Sequence, residues 1–233
     1  MRKPKYATVP ITLLRNIHKD QRGTIAQMFD YAIYDRMIKE FSDMDEDDLT
    51  TDEVVLSLNY LNLNENRLEA HLQDGKEIYD KHNIKPNASV SIDLLLKFQE
   101  DKTEFELMVF SFYFAIRSMI GTSPYWKGTD DFWTARAFGF STMQDYQNEN
   151  STQGEKDMRA KYSKRYWLDK IKLTLQNDWN LIYVSTNKHM KVRGFYVSMK
   201  MSYEQLVLIA KEKNEKYKSK KMVREAVLAR VFG

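Results

Sequence analysis

The chain has 233 residues, 42% of them hydrophobic and 30% charged, with 8 Gly, 4 Pro and no Cys. That supplies enough apolar material for a packed core and too little Gly and Pro for a turn-rich sandwich or barrel, so the expected class is mainly α; the missing cysteines exclude disulfide scaffolds, thiol nucleophiles and Cys-ligated zinc or iron–sulfur sites. The net charge of +3 conceals an asymmetry that points to an acidic partner such as nucleic acid: residues 155–233 hold 19 Lys+Arg against 8 Asp+Glu, and the rest of the chain holds 17 against 25.

Pro4 and Pro10 keep helix out of the first ten residues, so 4–17 reads as a short strand or an extended arm. The first ten residues carry positive charge with no apolar run behind them, unlike a secretory signal, and a cytoplasmic location is expected. Ile25, Met28, Phe29, Ala32, Ile33 and Met37 recur at helical spacing over 24–41. Residues 42–48 read as an acidic loop. Asp43, Asp45 and Asp47 imitate the first ligands of a calcium loop, but Asp48 stands where such a loop needs Gly and Val54 where it needs a bidentate Glu. Thr51, followed by Asp52 and Glu53, caps a helix through Val54, Val55, Leu58 and Leu61. A helix is expected over 66–81, broken or kinked near Gly75, then a turn at Pro86-Asn87 and helices over 91–99 and 103–120. The stretch 105–120 is the most apolar, but its 16 residues include Glu106 and Arg117. A bilayer span needs about 20 apolar residues, so this predicts a buried core helix and no membrane contact.

Residues 121–128 read as a loop and 130–138 as a helix stopped by Gly139. The stretch 147–154 (QNENSTQG) has no apolar residue and reads as a linker near the change of charge. A helix follows over about 158–176. Residues 181–186 and 192–199, rich in Val, Ile, Tyr and Phe, form a β-hairpin. Ser202 and Gln205 fit a capping box that opens a Lys-rich helix, or helix pair, reaching 231. The predicted organisation is a helical body over 1–128 and a basic module over 129–233.

The four histidines, at 18, 71, 82 and 189, have no ligand spacing, and no zinc-protease, phosphate-loop, dinucleotide or nucleophile-elbow motif is present. No metal, cofactor or catalytic residue is expected, and the reading is a non-enzymatic protein. The positive signals begin at 130. Ala135 to Ser141 match the centre of a helix-turn-helix: a small residue at the crossing, Gly139 for the left-handed turn, Phe140 packed beneath and Ser141 as cap. Residues 161–177 read as one two-faced helix, with Trp167, Leu168, Ile171 and Leu175 apolar and Arg165, Asp169, Lys172 and Gln176 on the polar stripe.

That helix runs into a hairpin whose tip carries Lys188, His189 and Lys191, with Arg193 just beyond. A helix followed by a basic two-stranded wing resembles the winged helix of DNA-binding proteins over about 130–199. The resemblance implies DNA rather than RNA, duplex in form. Arg136, Lys161, Lys164, Arg165, Lys172, Gln176 and His189 are the expected contacts, and Lys188, Lys191 and Arg193 the phosphate clasps. Among the interleaved aromatics, Trp167 is expected in the core, while Tyr162 and Tyr196 fit either the core or a base-stacking surface. In the last helix, Val223, Ala226, Val227, Ala229 and Val231 imply docking on protein, on the same chain or on a second copy in a homodimer. The rival reading is an accessory protein of viral or mobile-element type that binds a protein partner through its acidic and basic halves, without nucleic acid.

Overall fold

A computed structural model describes residues 6–41, 67–82, 86–185 and 194–232. The acidic segment 42–48, the helix expected from Thr51, and the hairpin tip with Lys188, His189, Lys191 and Arg193 lie outside the described residues. The rest is mainly helical with two small antiparallel sheets. Among the described residues no helix is long and apolar enough to cross a membrane. Packing divides the chain into two compact units, Met1–Gly121 with Trp133–Ala160, and Thr122–Phe132 with Lys161–Gly233. This division interleaves the segments, whereas the split at 128 follows the run of the sequence.

The first unit is built around α4 (Glu104–Ile120), whose residues from Leu107 to Ile116 are all buried. Thr103 and Glu106 close its N-terminus reciprocally, the Thr103 N–H donating to the Glu106 carboxylate at 2.9 Å and the Glu106 N–H to Thr103 Oγ1 at 3.3 Å. β1 (Tyr6–Pro10) pairs antiparallel with β2 (Asn87–Ser91), in register from Tyr6↔Ser91 to Pro10↔Asn87. The Arg117 side chain donates to the Ser89 carbonyl at 2.6 Å and ties this ribbon to α4. A 3₁₀ turn (Ile11–Asn16) leads into α1 (Gln21–Phe41), which packs on α2 (Leu68–His82). That packing carries a 2.7 Å hydrogen bond between Asp30 and His71 and a Tyr31–Tyr79 stack. Burial pushes the Asp30 carboxyl up, against the pull of His71. After α3 (Ile92–Lys97), the Phe98 ring lies 4.4 Å from that of Phe110 of α4, tilted by 33°.

In the second unit, β3 (Trp126–Gly128), β5 (Phe195–Ser198) and β4 (Ile182–Ser185) form one antiparallel sheet in the order β3-β5-β4. Alternation along β5 separates two faces. Tyr196 looks towards Leu206 and Ala210 of α9 (Tyr203–Phe232), with Val184 in the same cluster. Phe195 looks the other way, against Trp126, Tyr183 and Lys172 of α8 (Arg165–Asp178). α9 opens with the expected capping box: Ser202 N–H donates to Gln205 Oε1 at 3.0 Å and Gln205 N–H to Ser202 Oγ at 3.3 Å.

Several elements differ from expectation. α2 is one unbroken helix. Gly75 does not kink it; a Cβ there would lie 2.4 Å from the Asp30 carbonyl oxygen, so its missing side chain lets α2 approach α1. Ser91 ends β2 and caps α3 rather than opening a longer helix. The loop 121–128 contains β3. The polar stretch 147–154 is a helix junction: it holds the end of α6 (Met143–Asn148) and the start of α7 (Gln153–Tyr162), where Thr152 and Glu155 form a second capping box. The single helix expected over 158–176 is two, α7 and α8, parted at Ser163-Lys164.

The Gly139 turn forms as expected at the end of α5 (Asp130–Ala137): φ is +79°, Phe140 N–H reaches the Ala135 carbonyl and Gly139 N–H the Arg136 carbonyl. The cap of the next helix is Thr142, not Ser141, because the Thr142 hydroxyl accepts from Asp145 N–H at 3.0 Å. That helix, α6, buries no residue. Its contact with the rest of the unit includes the half-buried Tyr146, whose ring meets Phe140 edge-on at 5.4 Å.

His18 follows the 3₁₀ turn, near the Phe138 ring. Burial holds its imidazole down at about 4 from the ordinary 6.5, against a weaker upward pull from Glu104. A ring that titrates near 6.5 when unfolded and near 4 when folded favours the unfolded chain wherever only the unfolded ring is charged. Stability from this group is full above 6.5 and is lost as pH falls towards 4, by up to about 3 kcal/mol. Urea unfolding of wild type and His18→Gln, followed between about pH 4 and 7.5, should give a difference that narrows on acidification. Parallel profiles would rule out a buried neutral His18.

Candidate nucleic-acid interface

α8 is held by Leu168, Ile171 and Leu175, which are buried in the second unit. They share one side of the helix at 3–4 spacing, which leaves Lys164, Arg165, Tyr166, Asp169, Lys170, Leu173, Gln176 and Asn177 exposed. Tyr166 and Leu173 are 68% and 58% exposed, high for large apolar side chains. Arg165 reaches Asp169 one turn on, with Nε 3.4 Å from the carboxylate. Both side chains are largely in water, so the pair is worth little and does not commit Arg165. Beyond α8 the chain enters the β4–β5 hairpin.

The structure sorts the expected contact residues. Lys164 at the N-cap of α8, Arg165 in its first turn and Gln176 about three turns on are all exposed. Lys161 belongs to the end of α7 and is half-buried, its ammonium 5.1 Å from the Tyr162 ring centre and 4.9 Å from that of Trp167. Arg136 lies in α5 of the first unit, half-buried, with its pKa lowered by burial. It is not brought to the α8 surface as part of one unit.

Lys172 departs most from its expected role. Its side chain is 8% exposed, its Nζ is 2.6 Å from Asp130 Oδ1, and it lies 4.8 Å from the Phe195 ring centre and 5.4 Å from that of Tyr183. The ammonium is thus a packing element of the sheet, held by a carboxylate and two aromatic faces. Tyr162 and Tyr196 are both buried, which resolves the open choice for each in favour of the core. Trp167 is half-buried, between Lys161 and Lys170.

Lys170 and Tyr166 are exposed where the sequence stripe did not place them. The stripe Arg165, Asp169, Lys172, Gln176 lies one residue away from the exposed row Tyr166, Lys170, Leu173, Asn177. Among the described residues no group of three or more His, Asp or Glu side chains could hold a metal ion. Comparison with protein-family models, curated proteins and solved structures returns no match to this chain.

The Lys172–Asp130 pair is asymmetric, because the Asp130 side chain is 45% exposed. Asp130→Ala withdraws a counter-charge from a buried ammonium and should cost about 2–3 kcal/mol. Lys172→Met keeps the packing against Phe195 and leaves a carboxylate that water reaches, for a cost below about 1 kcal/mol. Denaturant unfolding measures both. A larger loss in Lys172→Met than in Asp130→Ala would refute this account of the pair.

Proposed function

We propose that this chain is a non-enzymatic DNA-binding protein that holds duplex through α8 and the β4–β5 hairpin. The observation that carries this reading is the exposed side of α8, with Lys164, Arg165, Lys170 and Gln176, on a helix that leads directly into an antiparallel hairpin. The residues joining the two strands include Lys188, His189, Lys191 and Arg193. The strand order β3-β5-β4, with a helix entering the hairpin, supports the winged-helix resemblance. Arg165 and Gln176 share one line of the exposed surface and Lys170 lies on a second, so cations and an amide are offered to phosphate and base-edge contact across that surface, and a basic hairpin suits the flanking phosphates. The charge excess of residues 155–233 would draw the partner at low salt.

A second reading has its own observation. In the distal part of α9, Tyr217, Met222, Val223 and Val227 are all more than half exposed. Exposed apolar side chains on a long helix, with Val223 and Val227 one turn apart, favour self-association or a protein partner, with or without DNA.

Fluorescence anisotropy with random-sequence duplex and single-stranded DNA, at about 50 and 200 mM salt, tests the first reading. Wild type should bind duplex in a salt-sensitive manner. The triple variant Lys188→Ala, Lys191→Ala, Arg193→Ala should bind more weakly, with a log–log salt slope shallower by up to about 2.7 if all three meet phosphates. Arg165→Ala with Lys170→Ala should weaken it further. No binding at low salt would end the DNA reading, and sedimentation of wild type against Val223→Glu would then test association through α9.

A further inference from the structure

A cavity of about 370 Å³ opens within the first unit, between the end of the 3₁₀ turn, the Gly139 turn and the first turns of α7. Its size lies in the range of small-molecule sites. Phe138 and Met158 give it an apolar wall, Phe140 is buried behind the guanidiniums that cover it, and Arg15, His18 and Arg159 line it with nitrogen.

The charges of this lining are not balanced among themselves. Lys19 is satisfied by Glu155 at 2.7 Å, and Glu155, which also caps α7, is held down at about 2 by Lys19 first and Thr152 next. Arg15 donates from Nε to the Gly139 carbonyl at 3.3 Å, and its nearest carboxylate, on Glu149, is 3.9 Å away. Arg159 has no carboxylate partner among the described residues. Its guanidinium lies over rings instead, 4.5 Å from the centre of Phe140, 5.2 Å from Tyr146 and 5.9 Å from Phe138, and its buried Nε has no hydrogen-bond partner. Arg15 lies 4.4 Å from the centre of the same Phe140 ring. Two guanidiniums thus share one aromatic ring, and the carboxylate beside Arg15 is loosely held. Both ring nitrogens of His18 are likewise buried without a partner.

Buried donors without partners are costly and uncommon in folded proteins. A lining with one cation in excess, guanidinium planes, an apolar wall and an unused imidazole is complementary to a planar molecule bearing an anion. We propose that this cavity binds a small molecule carrying one phosphate or carboxylate group on an aromatic ring system, with the anion on Arg159 and Arg15 and the ring against Phe138 and Met158. A nucleotide and an aromatic carboxylic acid share this chemistry. The site lies wholly in the first unit and does not depend on the DNA-binding reading.

The test is isothermal titration calorimetry of the full chain with four kinds of probe: nucleoside monophosphates, indole-3-acetate, adenosine and inorganic phosphate. At least one ring-plus-anion probe should bind with a Kd between about 10 μM and 1 mM. Adenosine, which lacks the anion, and phosphate, which lacks the ring, should bind at least about tenfold more weakly. Which ring-plus-anion probe binds separates the nucleotide from the carboxylic acid. Arg159→Met should weaken binding about tenfold or more, and Arg159→Lys should restore part of it.

Glu149→Gln provides a control of opposite sign. It removes the carboxylate that competes for Arg15 and should tighten binding severalfold, a gain that loss of folding cannot imitate. Failure of every ring-plus-anion probe near 1 mM would overturn the proposal. So would adenosine binding as tightly as its monophosphate, or Glu149→Gln and Arg159→Met both leaving the affinity unchanged.

Discussion

A helix with no polar side has to be enclosed. α4 is buried without interruption from Leu107 to Ile116, so every direction around it needs an apolar neighbour. The β1–β2 ribbon, the 3₁₀ turn and the aromatic pair Phe98–Phe110 supply some of that cover. Trp133 supplies more: its ring meets Phe112 edge-on at 4.6 Å, and its indole N–H donates to the Phe112 carbonyl at 2.9 Å. This is why residues after 132 return to the first unit although their neighbours before 133 belong to the second. The Gly139 turn follows from that return, since Phe138 and Phe140 are buried on either side of it.

The sequence made legible the elements whose signals are local. The 16-residue apolar run gave the core helix, Ser202 and Gln205 gave the start of α9, and Val, Ile, Tyr and Phe on either side of 187–191 gave β4 and β5. What it hid were features decided at a distance. β3 has three residues and exists because β5 lies beside it. Gly75 reads as a helix breaker until the Asp30 carbonyl is seen pressed against it. The end of α7 carries no Gly or Pro, and Thr152 with Glu155, the pattern of a capping box, sits inside a stretch whose polarity suggested a linker. Capping signals here outweighed composition.

On α8 the exposure of Arg165, Asp169 and Gln176 was readable and that of Lys172 was misread, for a related reason. Lys172 falls on the polar stripe when 161–177 is drawn as one helix, yet it borders Leu168, Ile171 and Leu175 on the helix surface. A lysine at such an edge can lay its stem along the apolar face and bury its ammonium if a carboxylate waits there. Asp130, 42 positions earlier, provides it, and no local pattern announces so distant a partner. His18 and Arg159 belong to the same category: single residues in sequence that become notable only through the company the fold gives them.

The basic character of residues 155–233 therefore has to be divided before it can explain binding. Part is internal, as at Lys172. Part is paired along helices, as in Lys216–Glu212 and Lys221–Glu225, exposed contacts that add little stability and still leave each lysine available to an outside anion. The field felt at long range depends on the net charge and weakens over a Debye length of about 8 Å at physiological salt. The salt dependence of binding depends instead on how many cations sit against phosphate. A protein that owed its affinity to net charge alone would be indifferent to which lysines were removed. One that uses α8 and the hairpin would be sensitive to those few and tolerant of losses elsewhere on α9, and that contrast in position, rather than the total charge, separates an interface from a solvated basic surface.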